Sequence, residues 1–134
     1  MEEITLSTSK DIELIDITDK VNEIVKKSGV RQGICLIYAL HATAATTICE
    51  SYDPNMLKDL ENKIRELFPK HAGYLHDRID SNAHSHLISS FLNPAQIIPI
   101  KDGRLLLGTW QAVVFVEADG PRSKRRIVVE IIKE

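Results

Sequence analysis

Apolar and polar residues alternate at the start of the chain, with Ile4 and Leu6 set between Glu3, Thr5 and Ser7. A period of two is the mark of a strand with one covered face. Ile12, Leu14 and, after a slip at Asp16, Ile17 continue it as a second strand, and Ser9-Lys10-Asp11 reads as the turn between them. The period then changes. Val21, Ile24 and Val25 recur at helical spacing, Thr18 stands where an N-cap belongs and Gly29 closes the segment. Gly33 to Leu40 is an unbroken apolar run, GICLIYAL, too short for most helices. It predicts a central strand buried on both faces. Thr46, Thr47, Ile48 and Cys49 suit a further strand.

The longest helix is expected from Asp53-Pro54, with Asp53 as cap and Pro54 in the first turn. Leu57, Leu60, Ile64, Leu67 and Phe68 form its buried stripe, and Pro69 ends it. His71 to Ser81 is polar and reads as a loop. Asn82 then caps a short helix through Leu92, stopped by Asn93-Pro94. Strands are expected at Ile97 to Ile100, Arg104 to Leu107, Gln111 to Ala118 and Arg126 to Ile132. Asp102-Gly103 marks a hairpin turn, and Asp119-Gly120-Pro121-Arg122 a second tight connection. The pattern is that of an α+β protein, strands at both ends and helices between, in one domain over residues 1–134.

Composition narrows the class. Apolar residues make up 43% of the 134 and charged residues 27%, an ordinary globular balance, and the formal net charge is −2. No overall field favours nucleic acid, and no apolar run can span a bilayer. Two cysteines, Cys35 and Cys49, make no disulfide framework, and the start has no signal-peptide character, so a cytoplasmic address is expected.

The five histidines carry the candidate chemistry. Imidazole is the commonest metal ligand and the natural acid and base near neutral pH. His71, His76, His84 and His86 share one polar stretch, and His41 ends the apolar run. On a helix, residues two apart point to nearly opposite sides. His84 then falls with Leu87, Ile88 and Phe91, and His86 with Asn82, Ser89, Ser90 and Asn93, which makes His86 the better ligand. As a strand, the same segment would present both rings. A lone histidine ending a buried strand is more often a hydrogen-bonded structural residue, and that reading stands beside the metal one for His41. No His-Glu-x-x-His or paired Cys-x-x-Cys occurs, and no Walker-type loop. Arg122, in a tight turn, offers a fork to phosphate, whereas Lys124 and Arg125 read as a solvated basic turn. Cys49 as a nucleophile is disfavoured by its strand setting and by Glu50 beside it. Trp110, the only tryptophan, reads as core or interface.

His41-Ala42-Thr43-Ala44-Ala45 resembles the His-Thr-Thr-Ala motif of the YjbQ family, also called the secondary thiamine-phosphate synthase family. Asn82-Ala83-His84-Ser85-His86-Leu87 resembles its Asn-Ala-x-x-His block. Gly103-Arg104-Leu105, Gly108-Thr109-Trp110-Gln111 and Glu117-Ala118-Asp119-Gly120-Pro121-Arg122 resemble its C-terminal signature. The chain departs at Ala42, where threonine is common, and at Asn93, where glycine is common. The resemblance implies two packed β-sheets with two to three helices, and a homotrimer. It implies an activity joining hydroxymethylpyrimidine pyrophosphate to thiazole phosphate, as a secondary reaction. It also implies a divalent metal, zinc first with nickel, manganese or magnesium as alternatives, held by His41, His76 and His86. Glu50, Asp80 and Asn82 become the polar catalytic candidates, and Thr43, Ser90, Thr109 and Arg122 would meet an anionic, phosphorylated metabolite. A phosphoester hydrolase and a non-catalytic trimeric protein that binds metal or metabolite are the rival readings.

Overall fold

A computed structural model describes residues 1–134. The elements run β1 (Glu2–Leu6), β2 (Glu13–Asp16), α1 (Thr18–Ser28), β3 (Gln32–Ala39), β4 (Ala44–Cys49), α2 (Pro54–Leu67), α3 (Asp77–Asp80), α4 (Ala83–Leu92), β5 (Ala95–Lys101), β6 (Arg104–Leu105), β7 (Ala112–Glu117) and β8 (Arg125–Lys133). They form two antiparallel sheets, one in the order β1-β8-β3-β5-β6 and one in the order β2-β7-β4. This is the expected α+β architecture, with four helices rather than two or three. The extra one is α3, a single turn inside the stretch expected to be loop.

Two apolar layers account for the packing. Ile4, Cys35, Ile37, Ile98, Ile127 and Val129 on the larger sheet pack with Val21 and Val25 of α1 against Val113 and Phe115 of the smaller sheet. The opposite face of the smaller sheet, Ala45, Val114 and Val116, is covered by Ile64 of α2 and Ile88 of α4. β7 therefore lies between both layers, and all six of its residues are buried. It is the doubly covered strand that the run Gly33 to Leu40 was expected to be. β3 instead alternates: Cys35, Ile37 and Ala39 are buried, while Ile34 and Tyr38 are exposed.

The uncovered face of β3 is part of a larger surface. Register places Ile34 between Pro99 and Ile132, Leu36 between Ile97 and Glu130, and Tyr38 between Ala95 and Val128. Eight of these nine side chains carry no charge, and Ile97, at 69% exposure, is open to solvent. Scattered exposed apolar residues are ordinary, but a contiguous sheet face of them is not.

The helix ends differ in part from expectation. Asp53 caps α2 as expected, accepting from the Asn55 N–H at 2.9 Å. Thr18 does not cap α1: its hydroxyl donates to Asp16 at 2.6 Å and accepts from the Val113 N–H at 2.9 Å. Asn82 does not cap α4 with its side chain. Asp77, on α3, accepts from the Ala83 N–H at 3.0 Å instead. The buried face of α4 is also not the expected one. Phe91 is 73% exposed and packs on Phe68, whereas Ser85 and Ser89 are buried and donate to the carbonyls of Ala118 and Ala44. Small hydroxyl residues there let the helix settle close on strand ends whose carbonyls need donors. Asn93, at φ 77°, occupies the region glycine tolerates best, which gives a physical sense to the glycine common there in the family it resembles.

No helix is long and apolar enough to cross a membrane.

Candidate functional site

Three connections between the sheets meet at one end of the molecule: β1 to β2, β3 to β4 and β7 to β8. Backbone bonds tie them together, from Thr8 N–H to Arg122 O at 2.8 Å, Gly120 N–H to Asp11 O at 3.0 Å and Ala118 N–H to Thr43 O at 3.1 Å. Close approach here requires glycine: a Cβ on Gly120 would lie 2.0 Å from the Lys10 carbonyl oxygen. The Gly120-Pro121 peptide is cis.

A buried ion pair holds these corners. Glu117 has no exposed surface, and both its carboxylate oxygens accept from Arg125, with the Nε bond at 2.9 Å. Thr8 and the Asp119 N–H donate to the same carboxylate at 2.6 and 3.0 Å. Arg125 also donates to the Thr43 carbonyl and hydroxyl, at 3.2 and 3.0 Å. Burial works against ionisation of Glu117, but these donors outweigh it and hold the carboxyl below its ordinary range. Arg125 is thus not the solvated residue expected from its basic neighbours. Thr43, expected at an anion, accepts from Arg125 with its hydroxyl oxygen, a bond that leaves its O–H donor uncommitted.

Next to this clamp lies a polar group that joins two of the predicted residues. Arg122 donates to the Asp119 carbonyl at 2.9 Å and carboxylate at 2.8 Å. Asn82 donates to the same carboxylate at 3.1 Å, and its amide oxygen is buried without a partner. The guanidinium fork is turned onto Asp119, which leaves only part of its five N–H donors for a ligand. One helical turn from Asn82 on α4 stands His86, bonded through its backbone to the Asn82 carbonyl at 3.4 Å. The ring of His76 meets that of His86 edge to face, centroids 4.7 Å apart. Two imidazoles on one tetrahedral zinc, with Zn–N near 2.0–2.1 Å, would have ring centres about 5 Å apart. His76 and His86 thus stand at a spacing that two ligands of one divalent ion would have. The edge-to-face contact, however, turns the face of one ring toward the other, so sharing an ion requires a ring to rotate and aim its nitrogen lone pair inward.

His41 does not join them. Its Nε2 accepts from the Arg126 N–H at 2.8 Å, so in the neutral ring the proton sits on Nδ1 and no lone pair is left for a metal. Burial and then the charges of Arg125, Arg126 and Arg122 press its pKa down, with Glu117 opposing, so the ring stays neutral at pH 7. The ligand role implied for His41 gives way to a structural one, with a single N–H donor free at the basic corner. No group of three or more histidine, cysteine, aspartate or glutamate side chains converges in the chain. His84 is buried, contacts the Ser85 hydroxyl at 3.3 Å and leaves Nδ1 unpartnered, the packed position the helical period gave it.

The other candidates lie elsewhere. Ser90 donates to the carbonyl of His86 on its own helix at 2.8 Å. Asp80 is exposed on α3. Glu50 and Thr109 sit at the far ends of β4 and β7, beyond Cys49 and Ala112, whereas His41 and Arg122 flank the Ala44 and Glu117 ends. Strand rise puts these two ends about 16 Å apart, too far for Glu50 or Thr109 to act with Arg122 in one chain. Glu50 instead accepts from the Asp53 N–H at 3.0 Å and braces the start of α2.

Comparison with known proteins places this arrangement. The family described as UPF0047 protein YjbQ-like matches residues 2–134. The chain belongs to this YjbQ-like UPF0047 family. A UPF0047 protein of Archaeoglobus fulgidus is 44% identical over 94% of this chain and 97% of its own length. The UPF0047 protein YugU of Bacillus subtilis is 38% identical over 90% of this chain and 91% of its own. Among solved structures, a YbjQ-like protein of unknown function from Sulfolobus solfataricus P2 superposes with a TM-score of 0.96 at 44% identity, over 99% of this chain and 96% of that one.

In this YjbQ-like chain, the motifs His41–Ala45, Asn82–Leu87 and Glu117–Arg122 meet at one end of the fold, while Gly108–Gln111 stands at the other. The corner residues that sequence reasoning missed are Thr8 and Arg125. Arg125 was visible in the period of β8, in phase with the inward-facing Ile127 and Val129. Thr8 carried no local signal, since its partners lie 109 and 114 positions away. The thiols offer no nucleophile: burial pushes Cys35 up to about 11, and burial with Asp16 and Glu50 raises Cys49.

Proposed function

We propose that this YjbQ-like protein is a small metal-dependent enzyme acting on a phosphorylated metabolite. His76 and His86 are its protein ligands for a divalent ion, zinc before nickel or manganese, and the remaining positions fall to water, substrate or another copy of the chain. The observation that carries this reading is the 4.7 Å spacing of the two rings beside the Asn82–Asp119–Arg122 group. Magnesium suits the site poorly, because it prefers carboxylates and water to imidazole.

The reaction we assign first is the joining of hydroxymethylpyrimidine pyrophosphate to thiazole phosphate. Displacing pyrophosphate develops negative charge on the leaving group, which fixed donors and cations offset. A bound ion would supply positive charge there. From the chain itself, Arg122 contributes its uncommitted N–H donors and His41 its Nδ1–H. Asp119 orients Arg122 and Asn82 together, and the buried Glu117–Arg125 pair keeps the corner from shifting. The protein works as a homotrimer in this reading, with the outer face of β3, β5 and β8, uncharged but for Glu130, as the contact between copies.

Steady-state assays with the two precursors test the assignment. His86→Ala and His76→Ala are each expected to lower kcat/KM by at least about 100-fold, the usual scale for losing a metal's charge stabilisation. Arg122→Ala is expected to raise KM more than it lowers kcat. Precursor binding without turnover would replace the assignment by a metabolite-holding role, and release of phosphate without coupling by a phosphoester hydrolase.

A further inference from the structure

The opposite end of β4 and β7 carries a second built depression of about 580 Å³, within the range of small-molecule sites. Its lining is mostly polar, with two aromatic rings, Tyr52 and Trp110, set in it. Tyr52 and Trp110 meet edge to face with ring centroids 5.6 Å apart, yet are 83% and 61% exposed. Large aromatic surface left in water forfeits burial energy, and here two such rings stand together over one hollow.

Each ring is presented by a fastened turn. The Gln111 N–H donates to the Gly108 carbonyl at 3.0 Å, and the Gln111 side-chain oxygen accepts from the Gly108 N–H at 2.8 Å, so Trp110 rides on a loop closed twice. Tyr52 precedes Asp53, whose N–H is held by Glu50 and whose side chain caps α2. Between the rings and α1 lies Asp16. One of its oxygens accepts from the Thr18 N–H and hydroxyl, at 2.9 and 2.6 Å, and the other from the Ser51 hydroxyl. A carboxylate has about four acceptor positions, so one remains open on the oxygen bonded to Ser51. Burial opposes ionisation of Asp16, but the bonds from Ser51 and Thr18 outweigh it and hold the carboxyl below its ordinary range. Asp19 and Lys20 flank the hollow, so its fixed charge is negative on balance.

We propose that this depression is a binding site for a flat, cationic, amine- or amidine-bearing ring, stacked against Trp110 and Tyr52 and paired with Asp16. Aromatic faces attract cations, and an anchored carboxylate gives such a group its counter-charge and acceptor. The site is separate from the histidine corner and does not depend on the metal reading. An anion at Thr109, expected from the sequence, is disfavoured by the same charge balance.

The test uses the full chain, in which Trp110 is the only tryptophan and reports directly by fluorescence. Benzamidine serves as the probe, and benzoate as the ring of opposite charge. Benzamidine is expected to change Trp110 emission saturably with a Kd of about 1 mM or tighter, and benzoate to leave it unchanged. Tyr52→Leu, at an exposed residue, is expected to weaken benzamidine at least about threefold, and Asp16→Asn at least about tenfold. The proposal is overturned if benzamidine does not saturate by about 10 mM, if benzoate binds equally, or if Tyr52→Leu binds like wild type. Tyr52→Leu decides alone if Asp16→Asn does not fold.

Discussion

Glu117→Gln is expected to destabilise the fold by about 3–5 kcal/mol in chemical denaturation, because it leaves Arg125 charged and buried without its counter-ion. The two side chains are 0% and 6% exposed, so water cannot take over the lost interaction. The effect should exceed that of any surface substitution, which ordinarily stays within about 0.5 kcal/mol. It should also be partly undone in Glu117→Leu combined with Arg125→Met, where neither charge remains to be buried. If Glu117→Gln costs under about 1 kcal/mol, the pair does not brace the corner. Acid should act in the same direction. Glu117 is held below its ordinary 4.5, and Asp11, bonded to Arg65 and Lys70, is held well below its ordinary value. A carboxyl whose pKa is depressed in the folded state stabilises above its unfolded value and stops doing so as pH falls through the folded one. Stability should therefore be flat above about pH 5 and decline below about pH 4.

Ile97→Glu is expected to convert the proposed trimer to monomer in sedimentation velocity, with the thermal unfolding of the monomer little changed. Ile97 is 69% exposed within the chain, so its replacement leaves both cores untouched. In a subunit contact the new carboxylate would be buried without a partner, on the row that already holds Glu130. A penalty of about 3 kcal/mol per contact weakens association by more than about 100-fold. A wild-type monomer at working concentration, or a variant that stays trimeric, would remove the apolar sheet face from the account.

Periodicity in the sequence located most elements within a residue or two, because each strand or helix presents a face whose burial the residues record. What it could not decide was which apolar run lies between two covered faces. Gly33–Leu40 and Ala112–Glu117 are both apolar, but only the second has α2 and α4 behind it. Local chemistry failed where a partner is distant. Thr18 and Asn82 have the residue types of N-caps, yet each is drawn to a neighbour on another element, Val113 and Asp119. The histidines divide along the same line. Helical period separated His86 from His84, since both sit on one element. Nothing near His41 could announce that the Arg126 N–H, 85 positions away, takes its lone pair. The motifs name His41, Asn82 and Arg122, which the fold brings to one end, together with Thr109, which lies at the other, because sequence order does not record which end of a strand a loop occupies.

In the proposed site His76 and His86, and not His41, would hold the metal. Protein purified without a histidine tag, loaded with zinc and freed of excess, should retain about one ion per chain by elemental analysis. His86→Ala should lose it and His41→Ala should keep it. Zinc retained at the wild-type level by His86→Ala, or lost from His41→Ala as completely as from His86→Ala, would contradict the assignment.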